Sequence, residues 1–437
     1  MRKLNLILLA IILLTTIINA SAQKCQDIKL AKSYFNELDS LASIDNGKLW
    51  GVKLYGPTMF VNPETRVIIA NQPDKDQQLT AKEGVYIGKL PESINIANTS
   101  YNWGGVNWTM VMWNALASND KYSRDKLLIH ESWHRIQHEI GIASTASGNG
   151  HLDGLQGSIL IKLELMALSR AILDTGKTNG LKDLHNAFTI RKYRQSLSPE
   201  NNENKFERHE GMAEYTGFKL CGLDNGIALK VINKQLERSL DKDGFANSFA
   251  YLTGPAYGFL FDKLSQGWIK EIIQGKDIPT IGMNLFSDEQ ITADSVKLKA
   301  LVLEIIGTYK AEPLIKAETE KFELQKKMIS EYKQKIMEGD QLIIPNNNVN
   351  FGYNPMEKLI PIDDRGVIYK TMRLTGDWGI LEVQNGIFRS NDWQYFIISA
   401  PKSLNSAIIK EPDYNLSLNA GWKIIKVKEG KFTLTKE

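Results

Sequence analysis

Cysteine is scarce in this chain, which has only Cys25 and Cys221 among its 437 residues. Two cysteines cannot form the framework of several disulfides that stabilises many small secreted domains. Neither has a second cysteine close by in the sequence, so a zinc site built from thiolates is also excluded. A single bridge between Cys25 and Cys221 stays open if the protein reaches an oxidising compartment.

The chain also lacks a large excess of positive or negative charge. The 53 basic and 50 acidic side chains leave a formal net charge of only +3, which singles out neither nucleic acid nor an acidic membrane as a partner. No basic run with interleaved aromatic residues occurs, so we expect no nucleic-acid binding. The composition, 43% hydrophobic and 24% charged, is that of a globular protein with room for two or three domains.

Long hydrophobic runs are absent after the first 22 residues, so no later segment is predicted to cross a membrane. The first residues have the features of an export signal: Arg2 and Lys3 are basic, Leu4–Ile18 is apolar, and small residues end at Ala22. We predict a signal peptide over 1–22, cleaved after Ala22, and export to the periplasm or the extracellular medium. The alternative is an uncleaved anchor, because the apolar stretch approaches the length of a membrane span.

Hydrophobic spacing divides the rest of the chain into three parts. Short β-like runs separated by turn residues occupy 50–113, after one N-terminal helix. Helical periodicity dominates from 123 to 309 and continues into a long charged helix over 311–339. Alternating runs return after Pro345, with a hairpin turn predicted at Asn385-Gly386. The pattern predicts an α+β protein whose last part is a small antiparallel β domain.

Three of the six histidines lie in one segment, Leu127-Leu-Ile-His-Glu-Ser-Trp-His-Arg-Ile-Gln-His138. His130 and His134 are four residues apart, so on a helix both imidazoles leave the same face about 6 Å apart along the axis. Two such nitrogens can bind one zinc ion at about 2 Å each. Glu131 lies about 100° around the helix, where it can accept a proton from a water beside the metal.

The motif alone leaves open a surface helix that carries histidines only for polarity. His138 lies about 12 Å along the axis from His130, so we expect it not to be a ligand. A third ligand has to come from elsewhere in the chain. Two glutamates are candidates, Glu210 in ERHEGMAEYTG and Glu164 in LELMAL.

The two motifs together resemble a known family. HESWH followed by a later EGMAEY helix is similar to the gluzincin branch of zinc metallopeptidases, which includes thermolysin-like and aminopeptidase-like enzymes. The resemblance extends from the histidine helix to Gly217. It implies Zn²⁺ as cofactor and a zincin-like catalytic domain, 23–338, with a mixed N-terminal sheet and a helical active-site half, followed by the β domain, 339–437.

The resemblance also implies a role for each matching residue. The zinc ligands are matched by His130, His134 and Glu210, the general base by Glu131, and the carboxylate that orients a ligand histidine by Glu214.

The chain departs from the family pattern in one respect, since a further helix separates the two motifs. Glu164 therefore remains the alternative third ligand, because it also lies in a glutamate-x-x-alanine pattern. Gly211 favours Glu210, because glycine lets another backbone approach closely.

Enzymes of this kind add a tyrosine or histidine that donates to the developing oxyanion. Tyr257 in GPAYGFL resembles that tyrosine and is the first candidate, with Tyr251 and Tyr215 behind it. His209 and His151 are further candidates. The alternative for Tyr257 is a core tyrosine whose hydroxyl has a hydrogen-bond partner.

Two other segments have less specific roles. Val106–Trp113 or Val85–Leu90 is expected either to bind the substrate as an edge strand or to be ordinary sheet. In the C-terminal domain we expect Trp378, Trp393 and Trp422 to fill the core rather than form a ligand platform.

The sequence therefore predicts a secreted zinc-dependent metallopeptidase that hydrolyses peptide bonds with a zinc-activated water. Its substrate would be a peptide or a protein. Two alternatives are an exported binding protein that keeps the fold without turnover and a zinc amidase that acts on cell-wall peptides.

Overall fold

The computed structural model describes residues 27–116, 120–146, 148–174, 178–286, 294–353 and 359–437. The predicted signal peptide and Cys25, and with it the possible Cys25–Cys221 bridge, lie outside these residues. None of the described helices is both long enough and apolar enough to cross a membrane.

Contacts divide the chain into two compact units, Met1–Ile315 and Lys316–Glu437. The division falls before the boundary predicted at 338, because Tyr332 and Ile336 pack with strand residues of the second unit.

Helices occupy most of the chain from Lys121 to Tyr332. Their bounds are α1 27–45, α2 Lys121–Ile136, α3 Leu155–Leu173, α4 Thr178–Ser196, α5 Glu203–Phe206, α6 Met212–Leu220, α7 Asn225–Ser239, α8 Ala250–Leu264, α9 Trp268–Ile273, α10 Ile278–Met283, α11 Ser295–Tyr309 and α12 Glu312–Tyr332. A π-helical turn, Glu207–Gly211, joins α5 to α6. Sequence periodicity does not delimit α4, because its buried residues include charged as well as apolar side chains and leave no clear apolar stripe.

The N-terminal sheet has the order β3-β4-β2-β1-β6-β5. Its strands are β1 Thr58–Val61, β2 Val67–Ala70, β3 Thr80–Lys82, β4 Val85–Lys89, β5 Thr99–Trp103 and β6 Val106–Met112. Strands β1 and β6 are parallel, and the other neighbours are antiparallel. The α+β layout with a mixed N-terminal sheet is therefore confirmed.

The edges of this sheet are β3 and β5. Strand β6 pairs with β1 on one side and β5 on the other, and β4 pairs with β2 and β3. The expectation that Val106–Trp113 or Val85–Leu90 offers a free edge to the substrate is therefore wrong. Both segments are ordinary interior sheet, which was the alternative for each.

The C-terminal strands form two sheets around a shared core. The first has the order β17-β18-β7-β14-β13-β10-β9 and the second β15-β16-β12-β11-β8, with antiparallel neighbours except for β7 and β18. Their bounds are β7 Gln341–Pro345, β8 Asn350–Gly352, β9 Ile360–Ile362, β10 Gly366–Tyr369, β11 Met372–Gly376, β12 Gly379–Val383, β13 Ile387–Ser390, β14 Tyr395–Ser399, β15 Ile408–Glu411, β16 Tyr414–Leu418, β17 Trp422–Lys428 and β18 Lys431–Lys436.

Two details of this domain differ from the sequence prediction. Asn385-Gly386 does form a turn, but it joins β12 to β13, which belong to different sheets and do not pair. Trp378 and Trp422 pack in or against the core as expected, whereas Trp393 is exposed.

Glycines allow three helices of the first unit to approach one another closely. A Cβ on Gly217 of α6 would lie 2.9 Å from the backbone oxygen of Lys126 in α2. A Cβ on Gly254 of α8 would lie 2.3 Å from the Cα of Gly211 at the start of α6. Helix α6 is thus held between α2 and α8 with almost no side-chain spacer, which brings the side chains of all three helices to one place.

Gly254→Ala is expected to lower the free energy of unfolding by about 1–3 kcal/mol, because the added methyl group meets backbone rather than a mobile side chain. Gly307→Ala is the matched control, since Gly307 is exposed within α11 and its Cβ would meet no atom within 4 Å. The control should be neutral or stabilising by roughly 0.5–1 kcal/mol. Urea unfolding followed by circular dichroism measures both. Equal stability of the two variants would contradict the close helix contact.

Candidate metal centre

Helix α2 presents its two histidines to the protein interior. The side chains of His130 and His134 are only 5% and 8% exposed, and their Nε2 atoms are 3.1 Å apart. Leu128, Ile129 and Trp133 bury other positions of the same helix in the core. This burial contradicts the alternative of a surface helix that uses histidines for polarity.

Glu210, in the π-helical turn, reaches both imidazoles. Its Oε2 atom lies 3.5 Å from His130 Nε2 and 3.4 Å from His134 Nε2. Among the described residues, these three form a group that could hold a metal ion. A tetrahedral zinc ion with bonds of about 2.0–2.1 Å holds its ligand atoms about 3.3–3.4 Å apart, so these spacings and this donor set fit zinc.

Glu164, the alternative third ligand, lies elsewhere. It is fully buried in α3, where Oε1 accepts a hydrogen bond from Arg191 Nε at 2.8 Å and Oε2 accepts one from Arg194 Nη1 at 2.5 Å. Both of its oxygens are therefore used by arginines of α4. Of the two candidate glutamates, the structure brings Glu210 to the imidazoles and Glu164 to a buried ion-pair cluster.

Tyr257 also belongs to that cluster. Its hydroxyl donates to Glu164 Oε1 at 2.7 Å, its ring stacks on Phe188, and the whole side chain is buried. The expectation that Tyr257 donates to a reacting carbonyl is contradicted by this placement, because substrate cannot reach a fully buried hydroxyl in the cluster of Glu164. The alternative, a core tyrosine with a hydrogen-bond partner, describes it correctly.

Tyr251 is the tyrosine beside the histidines. Its hydroxyl donates to Glu210 Oε2 at 2.7 Å, and its ring stacks on the His130 imidazole with centroids 5.8 Å apart. It precedes Tyr257 by six residues, which is about 240° around helix α8, so the two rings leave different faces. Tyr215 is not at the site either, since its hydroxyl donates to Asp262.

The remaining ring nitrogens have partners that orient the histidines. His130 Nδ1 lies 2.9 Å from Glu214 Oε2, and His134 Nδ1 lies 2.7 Å from Gln137 Oε1. These contacts hold each Nδ1 away from Glu210 and point both Nε2 atoms toward it, which leaves the Nε2 atoms as the nitrogens that could bind a cation. Gln137 was missed by sequence reasoning, although an amide three residues after a histidine on one helix is a signal that could have found it. Glu214 is held in turn by an ion pair with Lys126.

Three carboxylates lie close together at this centre, and their negative charges are stabilised by a positive charge nearby. Burial alone would lower the pKa of His130, but hydrogen bonds with Glu210 and Glu214 outweigh it and raise that pKa to about 10. Burial opposes ionisation of Glu210, yet hydrogen bonds from His130 and His134 hold its pKa well below its usual range. A divalent cation would supply the same compensation as a proton.

Glu131 is the third carboxylate. It is 5% exposed, and burial raises its pKa above the ordinary value. Among the described residues its buried Oε2 has no hydrogen-bond partner. A buried carboxylate oxygen without a hydrogen-bond partner is suited to accept a hydrogen bond, and then a proton, from a water molecule.

The other histidines lie at different distances from the centre. The His209 ring is 4.9 Å from the His134 ring, and its Nδ1 is 3.0 Å from the backbone oxygen of Thr145. His151 Nε2 lies 2.7 Å from Glu203 in the buried cluster. His138 is exposed beside Ser144, in agreement with the expectation that it is not a ligand.

The π-helical turn that carries Glu210 is anchored at its first residue. Glu207 accepts hydrogen bonds at both carboxylate oxygens from Arg191 of α4, at 2.5 and 2.8 Å, and another from the Thr253 hydroxyl of α8. All three side chains are buried. A bidentate arginine contact of this kind fixes orientation as well as position, so the buried cluster holds the turn from which Glu210 projects.

Glu210→Gln and Glu164→Gln should have opposite effects. Glu210→Gln is expected to weaken Zn²⁺ binding by more than the roughly 10–100-fold that loss of an outer-shell partner costs. Glu164→Gln should leave zinc affinity unchanged and lower the free energy of unfolding by about 3–5 kcal/mol, because Arg191 and Arg194 lose a buried counter-charge.

Competition with a chromophoric chelator measures the zinc affinity, and urea unfolding of the metal-free proteins measures the stability. Glu139→Gln, at an exposed position just after α2, is the matched control and should change neither quantity. Loss of zinc binding in Glu164→Gln alone would contradict the assignment of Glu210.

Comparison of the chain with protein-family models, curated proteins and solved structures gave no match. The resemblance to the gluzincins therefore stays a prediction from two motifs.

Proposed function

We propose that this protein is an exported zinc-dependent peptidase whose metal is held by His130, His134 and Glu210. One observation supports it best. Two buried Nε2 atoms and one carboxylate oxygen lie 3.1–3.5 Å from one another, next to the buried carboxylate of Glu131. A mature N-terminus at Gln23, measured by mass spectrometry of the secreted protein, would support export.

Zinc in such a site polarises a carbonyl and lowers the pKa of a bound water toward about 7. Glu131 has the position and the free acceptor oxygen to take a proton from the attacking water. The same carboxyl group then gives that proton to the leaving amine as the peptide C–N bond breaks.

Tyr251 is the proposed donor to the carbonyl oxygen as negative charge develops there. Burial and the neighbouring Glu210 carboxylate raise the pKa of its phenol, so the hydroxyl keeps its proton at neutral pH. Stacking on His130 fixes the ring beside the metal ligands. Glu214 acts through His130, which it orients by accepting from Nδ1.

Glu131→Gln is expected to reduce kcat by about 10²–10⁴, which is the range that general acid–base catalysis contributes, while zinc stays bound. The substitution keeps the shape of the side chain and removes its ability to accept the proton. Glu139→Gln is the control and should keep full activity. Zinc content and hydrolysis of a fluorogenic peptide are measured on the same samples, and undiminished hydrolysis by Glu131→Gln would show that Glu131 is not the base.

Tyr251→Phe and Tyr257→Phe distinguish the two tyrosines of α8. Loss of the Tyr251 hydroxyl is expected to lower kcat by about 10²–10³, with a smaller effect on KM. Loss of the Tyr257 hydroxyl should instead lower the free energy of unfolding by about 1–3 kcal/mol, because Glu164 loses a buried donor, and leave kcat unchanged. A fall in kcat confined to Tyr257→Phe would refute the assignment of Tyr251.

The substrate class is tested with a panel of casein, short peptides and peptidoglycan fragments. The proposal expects hydrolysis of casein or of the peptides. Hydrolysis confined to the peptidoglycan fragments would identify a cell-wall amidase instead. Stoichiometric zinc without hydrolysis of any substrate would identify a binding protein.

A further inference from the structure

A cavity of about 470 Å³ adjoins the candidate metal centre. Glu214 and Tyr251, which contact His130, form one part of its wall. The rest of the wall comes from the end of α7, the connection 240–249 and the first turn of α8. The cavity is therefore separated from the candidate metal ligands by no more than these two side chains, and its volume is in the range of small-ligand sites.

Two cations on this wall lack a carboxylate partner. Arg238 and Lys242 line the cavity and are exposed, and neither side chain forms an ion pair with any residue that the structure describes. The wall carries two acids, Asp243 and Glu214, and Glu214 is paired with Lys126 and His130. The cavity therefore has an excess of positive charge on the side away from the metal ligands.

The uncharged part of the wall is mixed in character. Gln235, Ser239 and Asn247 offer donors and acceptors, and Phe245 and Leu252 add apolar surface, a combination that suits a peptide. The guanidinium of an arginine binds a carboxylate through two parallel hydrogen bonds, which a lysine cannot do.

We propose that this cavity is a substrate subsite for a carboxylate, bound chiefly by Arg238 with support from Lys242. The proposal rests on the proposed peptidase function, since it names the class of peptide that the enzyme prefers. The carboxylate comes either from an acidic side chain near the scissile bond or from the C-terminus of the peptide. The first source predicts cleavage within acidic segments, and the second predicts removal of C-terminal residues.

The test uses the full-length zinc-loaded protein and quenched fluorogenic peptides of one parent sequence. One peptide has Glu near the scissile bond and an amidated C-terminus, one has Gln there and a free C-terminus, and one has Gln with an amidated C-terminus. The expected result is a kcat/KM about 10- to 100-fold higher for one of the two carboxylate peptides than for the neutral peptide, as a charged hydrogen bond provides.

Arg238→Gln should abolish this preference, and Arg238→Glu should reverse it in favour of a peptide with Lys at the same position. Lys234→Gln is the matched control, because Lys234 is an exposed cation of the same helix that does not line the cavity. It should keep both activity and preference. Equal hydrolysis of all three peptides by the wild type, or a preference that survives Arg238→Glu, would overturn the subsite and leave the peptidase intact.

A binding measurement separates this failure from failure of the proposed function. Fluorescence anisotropy of the same peptides with the Glu131→Gln protein reports affinity without turnover. If the wild type hydrolyses no peptide but the carboxylate peptide binds through Arg238, the peptidase is refuted, and with it the role as a substrate subsite, while carboxylate binding by the cavity is supported. If neither hydrolysis nor carboxylate-dependent binding is found, both are refuted.

Discussion

The contact between the backbones of α6 and its two neighbours is the constraint on which the rest of the centre depends. With glycine at 211, 217 and 254, no side chain separates these helices, and a Cβ at any of the three would meet backbone atoms within about 3 Å. The histidines of α2, the glutamates near the start of α6 and Tyr251 of α8 are therefore brought within hydrogen-bonding range. Packing of helix backbones, rather than any single polar bond, sets these distances.

The buried ion-pair cluster fixes the same region from the other side. Arg191 and Arg194 of α4 bind carboxylates of α3, of α5 and of the π-helical turn, with every partner buried. Buried charges cost desolvation energy that their mutual attraction only partly offsets, so such a cluster is weak evidence for stability alone. Its directional hydrogen bonds do restrict the turn that carries Glu210 to one orientation.

The sequence predicted those features of the structure that depend only on residues close to one another along the chain. The spacing of His130 and His134, and the class of each segment, follow from helical and strand periods. Periodicity does not delimit helix α4, because its buried residues include charged side chains. Tyr257 was preferred to Tyr251 because GPAYGFL resembles the family pattern, whereas the face that α8 turns toward α2 is set by a helix crossing that the sequence does not show. Likewise the Asn385-Gly386 turn is local, but which sheet each flanking strand joins depends on distant pairing.

Tyr251 and Glu214 belong both to the cavity wall and to the partners of the metal-binding group. Among the described residues that line the cavity, these two also contact the imidazole of His130. Affinities at two sites that share side chains are linked, and such a linkage acts equally in both directions. A ligand in the cavity and a cation at the centre would both act on Tyr251 and Glu214, so each occupant would change the affinity for the other.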